Sequence, residues 1–438
     1  MLDWLKKKIN YTGSVLFRGS MPPRLEELTG LQRAGVTVKP KKGRQEVHWA
    51  AELVHPAWGE ATLVCLRGVP PPPKEWIRHD ARLSEEETRE ALTGQSTVTV
   101  HISGEKGRGN VLRDRKHLFR FLRAVMGDDG VVAVDHVAMR LWSRDALDDE
   151  LSHDADLDID ALFCLHAVAP DGADRATWIH SHGLGKLGYF DFDVIDPSED
   201  LGGALADTFR AIAFAIVEGE VSRSTPKFEL AHPGGEVRFV DVAEFNRKAD
   251  ARTKSLRCDA DDEEHTVDRS VLCQPAGGLL GRLFDKPRPA RFLSAPRPDE
   301  AVVRFSAGAG KLMAERARAT YGRFRELAGE FAEFEFPVIV KLGYAVDGAE
   351  SEDDKEHLWF TVDGLMDDRI DATLQNQPFN IARMKEGDRG VHDLSLMTDW
   401  HIITPAGMIT PRNTAPARVV REHKDELREA VRRHHQGR

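Results

Sequence analysis

The sequence predicts an α+β protein, with a mixed α/β N-terminal region and a smaller, mainly antiparallel β domain that begins with a helix. Three observations lead to this prediction. Segments such as "STVTVHI" alternate apolar and polar residues, which indicates half-buried strands. Segments such as "RDRKHLFRFLRAVMG" carry apolar residues at helical spacing. Strands and helices interleave without a strict βαβ order, which favours α+β over a parallel α/β sheet.

The first predicted domain covers residues 1–246. It opens with leucines at helical spacing in "RLEELTGLQRAG" and continues into extended segments that end before the prolines at 70–73. Successive prolines donate no backbone hydrogen bonds and interrupt regular structure, so a break between two subdomains near residues 70–95 stays open. In "LSEEETREALTG" a serine at the N-cap, acids in the first turn and a closing glycine predict a short helix.

The second half of this domain carries a predicted hairpin. "ALFCLHAV" and "RATWIHSH" read as two strands joined by the turn "PDGAD", and "DFDVID" follows as another short strand. "LGGALADTFRAIAFAIVEG" is apolar over most of its length and predicts a well-buried helix.

Three further units follow. Residues 247–309 contain an acidic run and then a segment rich in proline and arginine, which predicts a linker. Residues 310–415 begin with a helix and continue as strands separated by turn residues, which predicts the small antiparallel domain. Residues 416–438 place Val420, Leu427 and Val431 on one stripe, which predicts an amphipathic helix that docks on its own chain.

Composition narrows the range of functions. The chain has 438 residues and a formal net charge of -11, which argues against nucleic acid as a partner because phosphate binding needs clustered Lys and Arg. The N-terminal lysines are not followed by an apolar stretch of the length that a signal peptide needs. The longest apolar run, Ala211–Val217, is too short to span a bilayer. We therefore expect no membrane association and a cytoplasmic location. The four cysteines form no CxxC pair, which favours reduced, structural thiols.

Two glycine-rich patterns resemble nucleotide loops, but their contexts argue against that function. Gly183, Gly185 and Gly188 form a GxGxxG that leads into a strand, whereas a dinucleotide loop opens a helix. In "AGAGKLM", Leu312 stands where a phosphate-binding loop needs Ser or Thr for magnesium. The sequence therefore predicts no residue that binds an organic cofactor.

The segment "WIHSHGLGKLGYFDFDV" carries the best candidate site. Residues two apart on a strand point to the same face, so His180 and His182 can converge on one metal ion. His166 on the preceding strand and Asp191 on the following one are the further candidate ligands, with the place of His166 depending on the hairpin register. The alternative is a structural role, in which the two histidines bind backbone carbonyls and carboxylates.

The second domain offers candidate binding residues. Trp359, Asn376, Asp399 and Trp400 stand out as aromatic and polar positions in a small β domain. Two tryptophans in such a domain usually belong to the core, so an exposed binding surface is one of two alternatives.

Two resemblances follow from these residues. Residues from Met313 to about Thr410 resemble the YegJ-like family of uncharacterised bacterial domains. The residues that carry this resemblance are Trp359, Asn376, Pro378, Gly387, Asp388, Asp399 and Trp400. The first 235 residues resemble a second bacterial family of unknown function, which has a Trp-x-His-Thr-His-Gly-Leu segment followed by a strand with two acids. Here that segment is Trp178 to Leu184, with Ser181 in place of Thr and Asp191 and Asp193 in place of glutamates.

The resemblances imply a bacterial setting and the division into domains, and neither implies an activity. No nucleophile, base and orienting group can be assembled from a specific motif, so the catalytic residues stay unknown. We therefore predict a non-catalytic binding or accessory protein, similar in role to an immunity protein, whose partner is another protein. The alternative is a metal-dependent enzyme such as a hydrolase, with His180 and His182 as ligands of a divalent transition metal.

Overall fold

The computed structural model describes residues 8–42, 46–67, 69–80, 82–105, 108–170, 172, 175–197, 202–230, 235–257, 268–275, 286–290, 307–351 and 354–436. Within these residues the chain forms twelve α-helices and nineteen strands, arranged in three mostly antiparallel sheets. The predicted α+β class is therefore confirmed, including the C-terminal β domain. None of the helices in this part of the chain combines the length and apolar character that crossing a membrane requires.

The first sheet has seven strands in the order β2-β3-β4-β5-β1-β6-β7. Its strands are β1 (Lys8–Phe17), β2 (Thr37–Lys41), β3 (Val47–His55), β4 (Gly59–Leu66), β5 (Ser96–Glu105), β6 (Gly130–Asp135) and β7 (Arg140–Trp142). The accompanying helices are α1 (Thr29–Arg33), α2 (Lys74–His79), α3 (Glu85–Ala91), α4 (Arg108–Met126) and α5 (Arg144–Leu151). Helix α4 buries Leu118, Phe121 and Leu122 in the core, as its helical spacing predicts.

The region around residues 70–95 does not divide this sheet. Strand β4 precedes it and β5 follows it, and the two strands pair directly, so the proposed subdomain break is corrected. The helix predicted in this region is confirmed as α3. Ser84 accepts a hydrogen bond from the Glu87 amide while the Glu87 carboxylate accepts from the Ser84 amide, which is a capping box.

The second sheet has six strands in the order β11-β12-β13-β10-β9-β8, of which β10 and β13 are parallel. Its strands are β8 (Cys164–Val168), β9 (Trp178–His182), β10 (Asp191–Ile195), β11 (Phe228–Leu230), β12 (Gly235–Asp241) and β13 (Arg269–Cys273). The accompanying helices are α6 (Gly202–Glu218), α7 (Val242–Lys248) and α8 (Ala251–Ser255). Phe192 stacks on Phe209 of α6 on one face, and Trp178 packs in a cluster with Phe245 of α7 on the other.

Strand β13 corrects part of the linker prediction. Its residues 269–273 lie within the segment 247–309, yet they form a fully buried strand between β12 and β10. A short apolar run such as "SVLC" is enough for a buried strand, and the polar segments on either side obscured it. The acidic run at 258–267 and the "GGLLGRLF" segment at 277–284 lie outside the described residues.

The third sheet has the order β17-β16-β15-β14-β18-β19 and forms the C-terminal β domain. Its strands are β14 (Val338–Ala345), β15 (Lys355–Leu365), β16 (Arg369–Leu374), β17 (Arg389–Asp393), β18 (Met397–Thr404) and β19 (Gly407–Ile409). Helices α9 (Ala307–Ala319) and α10 (Tyr321–Glu330) precede the sheet, and α11 (Ala415–Glu422) and α12 (Lys424–Gln436) follow it. All contacts within the sheet are antiparallel, as the sequence predicts.

Two segments predicted as single helices are each interrupted. The leading helix breaks at Thr320, whose hydroxyl donates to the carbonyls of Arg316 and Ala317 and so competes with the backbone ladder. The C-terminal helix breaks at His423, between α11 and α12. Val420 is nevertheless buried in the domain core, with Leu427 and Val431 packed against it, so the predicted docking of this stripe is confirmed.

Arginines of the C-terminal domain bind acids of the N-terminal part. The guanidinium of Arg316 on α9 contacts the Glu150 carboxylate at 2.5 Å and donates to the carbonyls of Asp156 and Pro411. Arg418 on α11 lies 2.7 Å from Glu87 of α3. Arg316 and Glu150 are both buried, so this contact joins α9 to α5 away from solvent.

Candidate functional site

The register of the β8–β9 hairpin brings three histidines to one face of the second sheet. His166 lies directly opposite His180, and Cys164 lies directly opposite His182. Cross-strand partners point to the same side, and so do residues two apart on one strand. His166, His180 and His182 therefore share a face, which settles the register question that the sequence left open.

The three imidazole rings lie close together and are largely shielded from solvent. The distance between ring centroids is 5.4 Å for His166 and His180, 4.6 Å for His166 and His182, and 4.7 Å for His180 and His182. One nitrogen from each ring lies within 4.8 Å of the others. His180 and His182 are buried, while His166 on the edge strand β8 is half-buried. We call these three residues the histidine cluster.

Neighbouring side chains hold His180 in place. The ring of Trp178 stacks on that of His180 with centroids 4.0 Å apart. Asp193 lies opposite His180 on β10, and its carboxylate contacts Arg257 at 3.0 Å and Arg269 at 2.7 Å. These three charged residues are all buried, so the histidine cluster lies beside a compact ion-pair network.

Asp191 organises the loop that follows His182. Its carboxylate accepts hydrogen bonds from the Ser181 hydroxyl at 2.8 Å and from the amides of Gly183, Leu184 and Gly185 at 3.0–3.3 Å. Burial raises the pKa of Asp191, and Arg269 and these hydrogen bonds oppose that rise. Three successive amides form a small anion-binding nest, which is filled by the chain's own carboxylate. The structure therefore brings the three histidines together, whereas the carboxylate of the predicted ligand Asp191 binds Ser181 and the loop amides.

Gly183 is needed for this loop. Its φ is +128°, and a Cβ atom placed there would lie 2.3 Å from the carbonyl oxygen of Leu162. That combination excludes other residues, because both the backbone conformation and the contact forbid a side chain. Gly183 thus allows both the turn between β9 and β10 and its close contact with the chain before β8.

Cys164 is a neighbour of the cluster that the sequence analysis did not select. Its Sγ lies 3.6 Å from Nε2 of His166, and the residue is half-buried and free of any disulfide. Burial raises the pKa of the Cys164 thiol to about 11, although nearby Arg140 acts to lower it. The signal in the sequence was available, because Cys164 and His166 repeat the two-residue spacing of His180 and His182.

The donor set of the cluster suits a transition metal. Imidazole nitrogen binds zinc, copper, iron and nickel, whereas magnesium and calcium prefer oxygen. Zn–N bonds of about 2.0–2.1 Å place tetrahedral ligands roughly 3.4 Å apart. The nitrogens of the cluster lie within 4.8 Å of one another. Side-chain rotations that move each nitrogen by about 1 Å would therefore bring all three to bonding distance of one ion.

The predicted binding residues of the C-terminal domain fall in different environments. Trp359 lies on the sheet face opposite the helices, where Lys341 Nζ is 5.0 Å from its ring centroid and the His401 ring is 4.7 Å away. Asp399 lies on that face too, with its carboxylate 3.5 Å from His401 and 3.7 Å from Arg412. Burial acts to raise the pKa of Asp399, but His401 and Arg412 outweigh it, so that pKa is lowered.

Trp400 and Asn376 do not share the sheet face on which Trp359 and Asp399 lie. Trp400 is fully buried, stacks on Phe324 at 4.7 Å and donates its indole N–H to Thr320. Neighbouring residues on a strand point to opposite faces, so Trp400 points to the core while Asp399 does not. Of the two alternatives for the candidate binding residue Trp400, the core position is therefore the one found in the structure. Asn376 is exposed in the turn after β16, as its turn chemistry predicts.

Comparison with known proteins covers the C-terminal domain alone. Residues 311–416 match the family DUF2314, described as an uncharacterized protein conserved in bacteria. A bacterial domain of unknown function is therefore confirmed at this place in the chain, whereas the resemblance of the first 235 residues stays a prediction. No curated protein and no solved structure matches the chain. The histidine cluster lies outside the matched residues.

Proposed function

We propose that this protein is a non-catalytic, metal-binding accessory protein in which His166, His180 and His182 hold a divalent transition metal. The observation that carries this proposal is the convergence of three imidazoles on one face of two paired strands, with one nitrogen of each within 4.8 Å of the others. Neutral imidazole is the commonest protein ligand for such ions.

The surroundings of the cluster support the proposal. Metal sites bind tightly when neighbouring groups fix the orientation of each ligand before the ion arrives. Trp178 stacks on His180, and Asp191 accepts three hydrogen bonds from amides of the turn after His182 and one from the Ser181 hydroxyl on β9. The stacking restricts the ring of His180, and the hydrogen bonds fix the backbone that follows His182, so less conformational entropy is lost on binding.

The test is the metal content of tag-free protein, measured by inductively coupled plasma mass spectrometry after incubation with metal and desalting. We expect close to one zinc, manganese, iron, nickel or copper ion per chain. The variant His180→Ala/His182→Ala should lose the ion while keeping its circular dichroism spectrum.

A matched variant controls for the loss of any two histidines. His48 and His423 lie outside the cluster, and His48→Ala/His423→Ala should retain the ion. Protein that holds no ion, or a cluster variant that holds as much as the wild type, would refute the proposal.

The second candidate is a metal-dependent hydrolase that uses the same ion. Three protein ligands leave a coordination position for water, whose pKa a bound zinc ion lowers to about 7. The specific observation in favour is the half-buried His166 on edge strand β8, which gives solvent a way to the cluster. Turnover of chromogenic esters or phosphoesters by metal-loaded wild type, absent in His180→Ala/His182→Ala, would support this candidate.

The proposed partner is another protein, and the proposed location is the cytoplasm. The described cysteines Cys65, Cys164 and Cys273 are free thiols, which agrees with a reducing compartment. Affinity purification of the metal-loaded protein, compared with His180→Ala/His182→Ala, would show whether a partner depends on the ion.

A further inference from the structure

The histidine cluster belongs to a two-by-two array of metal-ligand side chains. Cys164 faces His182 across the β8–β9 pair, and His166 faces His180 in the same register. Cys164 and His166 are two residues apart, as are His180 and His182, so all four side chains share one face. Three corners of this array are the histidines, and the fourth corner is a thiol.

The thiol lies close to one ring of the cluster. Cys164 Sγ is 3.6 Å from Nε2 of His166, and the residue is half-buried. The atoms that lie within 4.8 Å of one another belong to the three histidines, so the thiol has to move toward them to share the ion. Zn–S bonds of about 2.3 Å are longer than Zn–N bonds, so a sulfur ligand needs a less close approach than a fourth imidazole would.

We infer that Cys164 supplies the fourth ligand of the ion bound by His166, His180 and His182, which completes a Cys-His₃ site. This inference rests on the proposed metal binding. On binding, the S–H bond of Cys164 breaks, the proton leaves to solvent and the sulfur lone pair forms the bond to the ion. Four protein ligands leave no position for water, so such a site retains its ion for structure or signalling instead of activating a nucleophile.

Cobalt(II) distinguishes the two possible ligand sets because a thiolate ligand and an imidazole ligand give different absorption. Full-length protein loaded with Co²⁺ should show d–d bands in the visible and a sulfur-to-cobalt charge-transfer band in the near ultraviolet. Cys164→Ser should lose the charge-transfer band, keep visible absorption from the histidines, and bind Co²⁺ roughly tenfold or more weakly. Cys65→Ser removes a buried thiol of β4 and should behave as the wild type.

The outcomes separate the inference from the proposal on which it depends. Visible bands without charge transfer in the wild type, or charge transfer that persists in Cys164→Ser, would overturn the role of Cys164 and leave the three-histidine site intact. A wild-type spectrum identical to that of His180→Ala/His182→Ala would overturn the metal site itself.

A second measurement holds even where Cys164→Ser fails to fold. Alkylation of Cys164 in the wild type, followed by peptide mass spectrometry, should slow roughly tenfold or more when Zn²⁺ is added, because a coordinated thiolate is protected. In folded His180→Ala/His182→Ala the same addition should have no effect. Equal alkylation of wild-type Cys164 with and without zinc, under conditions where the ion is bound, would refute the inference.

Discussion

The rings of Trp178 and His180 are stacked, with centroids 4.0 Å apart and planes inclined by 27°. The Trp178 ring also lies close to a cation, since the guanidinium carbon of Arg257 is 5.2 Å from the ring centroid. An indole in contact with a proposed metal ligand is a built-in reporter, because paramagnetic ions quench nearby fluorophores.

The first prediction uses this reporter. Titration of the protein with Cu²⁺ should quench part of the tryptophan emission with a saturating, one-site curve, since Trp178 is one of eight tryptophans. Trp178→Phe keeps an aromatic ring on His180 and should lose most of the saturable quenching while still binding the ion. Equal saturable quenching in His180→Ala/His182→Ala would show that the ion binds elsewhere.

The second prediction concerns the ion-pair network beside the cluster. Asp193→Asn keeps the shape of the side chain but leaves Arg257 and Arg269 buried without their carboxylate. Removing one partner of a buried ion pair typically costs roughly 3–5 kcal/mol of the free energy of unfolding. Chemical denaturation should show a loss of this order.

An exposed ion pair gives the matched control. Asp367 contacts Arg325 at 2.7 Å with its side chain 93% exposed. Asp367→Asn should therefore change the free energy of unfolding by less than about 1 kcal/mol. Equal effects of the two substitutions would mean that the network around Asp193 is not needed for stability.

The third prediction concerns Gly183. Gly183→Ala combines a φ of +128° with a Cβ 2.3 Å from the Leu162 carbonyl oxygen, so it should lower the free energy of unfolding by roughly 3 kcal/mol or more. Gly219 has a φ of +80° with nothing within 4 Å, so Gly219→Ala should cost only about 1 kcal/mol. Thermal denaturation of both variants separates the clash from backbone strain, and equal costs would contradict the clash.

The sequence was sufficient to predict those parts of the site that depend only on local periodicity. Alternation along one strand places His180 and His182 on the same face whatever the rest of the fold does. The place of His166 depended on the β8–β9 register, which local patterns do not determine. Prediction from local patterns has the same limit at Asp399 and Trp400. Alternation places their side chains on opposite faces of the sheet, but it does not determine which face packs against the helices.

Contacts between distant segments could not be predicted. Arg257 and Arg269 reach Asp193 from a segment whose composition is that of a linker. The pairing of β13 with β10 is parallel and lies between residues more than 70 positions apart. Such contacts depend on how the whole second sheet assembles, and hydrophobic periodicity within one window carries no information about them.

The last prediction concerns acid stability and His153, which follows α5. Burial lowers the pKa of His153 to about 4, with Arg316 and Lys116 lowering it further and Glu150 opposing them. In the unfolded chain a histidine has a pKa of about 6.5. Below that value the unfolded state takes up a proton that the folded state does not, so the contribution of His153 to stability is lost as the pH falls from about 6.5 toward 4.

His153→Gln removes this titration and should flatten the pH dependence. Between about pH 7.5 and pH 5, the wild type should lose roughly 2 kcal/mol more of its free energy of unfolding than the variant does. Other groups also titrate in this range, but they are common to both proteins, so the difference isolates His153. Denaturation at both pH values measures it, with His48→Gln at an exposed position as the control that should follow the wild type. Parallel pH curves for wild type and His153→Gln would show that His153 is protonated equally in the folded and unfolded states.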